Sequence, residues 1–157
     1  MTAISGPVVV DANVLIALLD PAHVHHEAVQ RTLDHITPSV EIDTEAETQR
    51  TVIAYIHPLN MAEVLRGFPP ESRHSVLEMV ESPLVGIVSK PIRDARSEAM
   101  LLADHASSGR VRMPDACVLA LATVFDVPLL TADKRLAAAA RASGGLQVLD
   151  LMSPEQP

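Results

Sequence analysis

The feature that most constrains this chain is an alternation between two periodicities. Short apolar, β-branched runs stand between longer stretches whose apolar residues fall at helical spacing. The first run, Pro7-Val8-Val9-Val10, has no polar face and reads as a strand buried on both sides, ending at Asp11. Asn13 to Leu19 continues as a short helix, and Val24, Ala28, Leu33 and Ile36 give His23 to Ile36 a helical spacing. Thr37 to Thr51 is polar and acidic and reads as an exposed loop or ragged hairpin. Thr51 to Ile56 is a second strand, punctuated by His57-Pro58. Leu59 to Phe68 is a helix ended by Gly67 and Pro69-Pro70, and Glu71 to Glu81 is another. Leu84 to Val88 is a third strand, and a helix from Pro91 to about Ser107 is closed by Ser108-Gly109. The very apolar Met113 to Phe125, with Pro114 at a favoured early position, is a central helix. Val127 to Leu130, Asp133 to Ala142 and Leu146 to Leu149 complete the series as strand, helix and strand. Such alternation implies an α/β fold of three layers, α/β/α, around a central parallel sheet of about five strands. One domain is expected over residues 1–151, with a frayed tail over 152–157.

Composition narrows the functions open to such a domain. The 157 residues suit one domain, and an apolar content of 48% is ample for its core. Twelve Lys+Arg against 20 Asp+Glu give a formal charge of −8, which argues against nucleic-acid binding through surface charge alone. Tyr55, Phe68 and Phe125 are too few aromatics for a base-stacking platform. Cys117 stands alone, so no intrachain disulfide or cysteine-based zinc cluster can form. No apolar run is long enough to span a bilayer, and Met1 to Asp20 lacks the basic residues of a signal peptide. A soluble cytoplasmic domain without a membrane partner is the expectation.

In open parallel sheets, sites lie beyond the carboxyl ends of the strands. Four acids fall there: Asp11 after the first strand, Glu63 one turn into the helix after the second, Asp115 at the start of the central helix, and Asp133 just past the fourth strand. Three have ordinary structural explanations. Asn60-x-x-Glu63 has the spacing of a capping box, Asp115 could complement a helix dipole, and Asp133 could simply open a helix. Asp11 is harder to explain in this way, because a carboxylate closing a Val-Val-Val run is taken out of water and needs compensation, which a metal ion supplies.

Together these residues carry a resemblance. Val10-Asp11-Ala12-Asn13-Val14-Leu15, Leu59 to Gly67 around Glu63, Met113-Pro114-Asp115-Ala116 and Leu130 to Leu136 around Asp133 resemble, in order and spacing, the four motifs of PIN-domain nucleases. The single-domain length is most similar to the toxin half of VapBC-type toxin–antitoxin pairs. Ala12 and Asn60 stand where the family commonly has Ser or Thr, and the acidic Glu41–Glu47 stretch lengthens the segment before the second strand. The resemblance implies Mg²⁺- or Mn²⁺-dependent hydrolysis of RNA phosphodiester bonds, with Asp11, Glu63 and Asp115 as main metal ligands and Asp133 holding a second ion or its water. Asn13, Asn60 and Thr131 would orient those ligands. It also implies a small VapB-type antitoxin as partner, and a homodimer. Elementary electrostatics agrees: two carboxylates about 4 Å apart repel by roughly 4 kcal/mol at an effective dielectric of 20, which cations relieve. Setting the four acids aside leaves 16 against 12 bases, so the charge deficit does not exclude an RNA substrate. Arg66 and Arg112 are candidates for holding phosphates, with Arg73 and Arg110 also near the motifs.

Other residues support blander readings. His23, His25 and His26 lack further zinc ligands nearby and read as surface or packing residues. His57 reads as a strand-end packing residue, Cys117 as a buried small hydrophobe, and Gly144-Gly145 lacks the Lys-Ser/Thr of a phosphate loop. The rival functions are an aspartyl phosphotransferase using Asp11, a PIN nuclease for RNA processing outside a toxin–antitoxin pair, and a non-enzymatic PIN-like interaction module. Asn13 spoils the Asp-x-Asp pattern of the first, and no acid is lost as the last would allow.

Overall fold

The computed structural model describes residues 3–107 and 111–152. Ser108, Gly109 and Arg110, and the tail from Ser153 onward, lie outside the described residues. The centre is a five-stranded sheet in the order β7-β6-β2-β8-β9, formed by Ile87–Ser89, Ala54–Ile56, Val8–Val10, Leu129–Thr131 and Val148–Asp150, with every pairing parallel. Helices α1 (Ala12–Leu19), α2 (His26–Asp34), α3 (Pro58–Leu65) and α4 (Arg73–Glu81) cover one face, and α5 (Ala95–Ser107), α6 (Met113–Phe125) and α7 (Lys134–Ser143) the other. The expected three-layer α/β/α architecture is therefore what forms.

Period-two alternation along the strands divides the core. Val8, Val10, Ala54, Ile56, Ile87 and Leu130 point to the α1–α4 side, and Val9, Tyr55, Val88 and Leu129 to the α5–α7 side. Helix α6 is apolar all round because it is a central element, with Ala116 to Ala122 buried. No helix of the described residues is long and apolar enough to cross a membrane.

Several boundaries differ from the sequence reading. Helix α2 begins only at His26, because His23 and its neighbours make a turn back to Asp20, and Ile36 joins β3 (Ile36–Thr37), which pairs with β1 (Ile4–Ser5). The acidic 37–51 segment is a regular antiparallel hairpin of β4 (Ser39–Asp43) and β5 (Thr48–Val52). Its base is not continuous with the central sheet. Ile53 leaves the hairpin ladder, donating its amide to the Gly86 carbonyl at 2.8 Å while its own carbonyl accepts from Val8. The single strand expected over Thr51–Ile56 is thus two strands in different sheets. Helix α5 starts at Ala95 rather than Pro91, since Asp94 accepts from the Ser97 amide and the Glu98 carboxylate holds the Ile92 and Arg93 amides ahead of the helix.

Candidate functional site

The strand order places β2 between β6 and β8. The chain steps outward from β2 on one side through β6 and β7, and on the other through β8 and β9. The carboxyl end of β2 is therefore a topological switch point, where open α/β sheets leave a crevice. Asp11 sits there and caps α1, its Oδ1 accepting from the Val14 amide at 2.8 Å. Its Oδ2 accepts from the Thr131 hydroxyl at 2.6 Å, across from β8. That hydroxyl in turn accepts from the Asp133 amide at 3.0 Å. Asp133 caps α7, one of its oxygens taking both the Arg135 and Leu136 amides. A single buried Thr131 side chain thus ties together two of the acids expected at the site.

A cleft of about 280 Å³ opens at this end of the sheet. Asp11, Asn13, Asn60, Glu63, Arg66, Arg112 and Asp115 line it, with Ala12, Ile16 and Pro114 as its apolar part. Three acids from three separate elements, α1, α3 and α6, therefore face one space. Asp133 and Thr131 do not line the cleft but connect to it through the Thr131 hydroxyl on Asp11. Burial holds the Asp11 carboxyl above the ordinary carboxylate range, with the Asp133 and Asp115 charges adding to the effect and the Thr131 and Val14 hydrogen bonds opposing it. Asp115 is likewise raised, by burial and then by Asp133 and Glu63, while Arg135 and Arg112 pull it down. The acids share a cleft without meeting at a point: among the described residues, no three His, Cys, Asp or Glu side chains are grouped closely enough to hold an ion by themselves. Mg²⁺ does not require such a cage, because it keeps several waters and takes only one or two carboxylates. The donor set, the carboxylate oxygens of Asp11, Glu63 and Asp115, is hard oxygen throughout and suits a hydrated ion of that class.

Two local readings need correction. The N-cap of α3 is His57, whose Nδ1 accepts from the Leu59 amide, so Asn60 and Glu63 lie inside the helix and form no capping box. The reason is Pro58, whose fixed φ suits the first helical turn and starts the helix before Asn60. Arg73 donates its Nε to the Leu65 and Phe68 carbonyls and so closes the end of α3. Arg66 and Arg112 remain exposed on the cleft wall, and Arg110 lies outside the described residues. His23 is bound into a local turn, its Nδ1 accepting from the His25 amide, and His26 at the start of α2 bonds through Nδ1 to the Ala17 carbonyl of α1. Cys117 is buried, and burial pushes its thiol up to about 11.

Sequence reasoning missed two features. Arg135 acts electrostatically on Asp115, and its position two residues past Asp133, at the same helix start, was the available signal. His57 is buried against Glu98, Nε2 to Oε1 at 2.8 Å, a pairing across 41 residues that no local pattern announces.

The fold and the acid cleft define an α/β domain with its polar centre at the sheet's switch point. The PIN domain family model matches residues 8–142, and the chain belongs to the PIN domain family. No curated protein sequence gives a significant match. Solved structures extend the likeness of fold over nearly the full length. A chain of a toxin–antitoxin complex from Klebsiella pneumoniae superposes with a TM-score of 0.60 at 18% identity, covering 94% of this chain and 99% of that one. A chain of VapBC2 from Rickettsia felis, bound to a promoter DNA fragment, gives 0.56 at 11% identity, covering 94% and 98%. One from FitAcB of Neisseria gonorrhoeae gives 0.53 at 18%, covering 92% and 97%.

Proposed function

We propose that this PIN domain is a Mg²⁺- or Mn²⁺-dependent endoribonuclease, and that it acts in the cytoplasm as the toxin of a toxin–antitoxin pair. The observation that carries the reading is the convergence of Asp11, Glu63 and Asp115 on one cleft, with Asp133 joined to Asp11 through Thr131. An ion bound there supplies positive charge for the scissile phosphate and the leaving oxygen and acidifies a water. The chain's own residues do the rest. Asp11, Glu63 and Asp115 would hold the ion, and Asp133 would hold a second one or its water. Thr131 fixes the Asp11 carboxylate, and Asn13, on the cleft lining, would orient the metal ligands. Arg66 and Arg112, both on the cleft lining, meet the phosphates. A side-chain nucleophile is not required, so Cys117 stays out of the chemistry. The toxin assignment draws on the near-complete coverage of chains from toxin–antitoxin complexes. On this reading the partners are RNA, a small VapB-type antitoxin whose basic side chain enters the acid cleft, and a second copy of the chain.

Asp11→Asn and Asp115→Asn are each expected to lower RNA cleavage in Mg²⁺ or Mn²⁺ by at least about a hundredfold while the circular dichroism spectrum and melting profile stay those of a folded domain. Cleavage by either variant at the parent's rate overturns the assignment.

A further inference from the structure

Asn60 holds an unusual position in the cleft. It is only 2% exposed, and its Oδ1 is a buried side-chain acceptor with no hydrogen-bond partner among the described residues. Its Nδ2 lies 3.4 Å from the Glu63 Oε2 and 3.4 Å from the Pro114 carbonyl oxygen. Both neighbours can only accept while Glu63 is ionised, so the amide is fixed in one orientation, with nitrogen toward them and oxygen away. Two acceptors match the two N–H bonds of a primary amide. A serine or threonine hydroxyl has a single proton to give and could serve only one of them. An unpartnered buried oxygen is destabilising, so the amide is kept there against a stability penalty.

The two contacts join elements distant in sequence. Glu63 belongs to α3, and the Pro114 carbonyl sits in the first turn of α6, immediately before Asp115. One neutral side chain therefore spans the two helices that each bring a carboxylate to the cleft.

We propose that Asn60 is a positioning residue. One amide N–H is anchored on the Pro114 carbonyl, and the other sets the orientation of the Glu63 carboxylate relative to Asp115, so that both can engage one divalent cation. The assignment rests on the metal-dependent reading above.

The test is calorimetric titration of Mn²⁺ into the purified full chain, without RNA, comparing the parent with N60L, E63Q, D115N and the double variant N60L/E63Q. Leucine approximates asparagine in shape and removes both the donors and the unpartnered oxygen, so the fold is expected to survive with an undiminished melting temperature. N60A serves as a second variant should leucine disturb the packing. N60L is expected to weaken Mn²⁺ binding by roughly ten- to a hundredfold, the range typical when a residue that orients a ligand is lost. In the E63Q background the same substitution should cost less than about threefold, because Asn60 acts through Glu63. Parent-like affinity in N60L and N60A, or an undiminished loss in the E63Q background, overturns the proposal. If E63Q and D115N weaken Mn²⁺ binding but N60L does not, only the role of Asn60 falls. If the parent binds no Mn²⁺, or E63Q and D115N bind it as the parent does, the metal reading falls and the role of Asn60 falls with it.

Discussion

Asp11 shows how one side chain can be fixed and kept out of balance at once. It caps α1, accepts from Thr131, and is 4% exposed, so its geometry is fully determined while its charge is poorly solvated. Asp115 shares the imbalance in milder form: burial raises its carboxyl, and Asp133 and Glu63 raise it further. The sign of the consequence follows from linkage. A carboxyl whose pKa is higher in the folded than in the unfolded chain contributes stability below the unfolded value and loses it as pH rises through the folded one. Metal-free Asp115→Asn is therefore expected to melt above the parent near pH 7, with the difference vanishing below about pH 3, where carboxyls are protonated in both states. Melting curves in chelator across that range check this; an equal difference at both ends would mean that the ionised carboxylate, disfavoured by burial and then by Asp133 and Glu63, is not its source. The same residue should be lost to catalysis, so stability and function are opposed at this position.

At the scale of elements, the acidic hairpin is tethered to the domain through Glu41. Burial would raise the Glu41 carboxyl, but hydrogen bonds from Lys90, Tyr55 and Arg50 outweigh it and bring the carboxyl down to about 2. Lys90 Nζ lies 2.6 Å from Glu41 Oε1 and also stands over the rings of Tyr55 and Phe125. A depressed pKa contributes stability above the unfolded value, lost as pH falls through the folded one. Glu41→Gln is accordingly expected to lower stability near pH 7 by up to about 1 kcal/mol, since the group is partly exposed and screened, with the gap closing below about pH 4. Denaturant titrations of both proteins at several pH values measure it, and a gap that persists at pH 2 would contradict it. The hairpin also marks the limit of what the sequence makes legible. Strands such as Val8–Val10 are apparent because burial on both faces forces a continuous apolar run. The hairpin strands are mostly polar and exposed, and they are held by pairing and by Lys90, which lies 49 residues from Glu41. Where the chain leaves the hairpin for β6 depends on Gly86, whose φ of +68° and close approach to Ile53 are long-range facts.

For the molecule as a whole, the candidate site is more legible than its supports. Asp11, Asp115 and Asp133 each follow a strand or open a helix, so the parallel-sheet rule alone directs attention to them, whereas Glu63 lies inside α3 and is marked by its motif. The contacts of their supports are less visible: the Thr131 hydroxyl on Asp11 and the Asn60 amide between α3 and α6 depend on which elements become neighbours. The negative total charge of −8 also takes on a different meaning in the fold. Part of it lines the cleft that also carries Arg66 and Arg112. On the proposed reading a bound cation would offset that charge, so an acidic protein could accept an anionic substrate.

The central claim is that water at an ion-loaded acid cleft hydrolyses RNA. Its most direct test is end-group analysis of a defined single-stranded RNA cut by the purified chain, with Mg²⁺ or Mn²⁺ and in chelator. The account expects cleavage only with the divalent ion, and products that carry linear phosphate monoester and free hydroxyl ends. Undiminished cleavage in chelator, or 2′,3′-cyclic phosphate ends that show attack by the ribose hydroxyl, would contradict it.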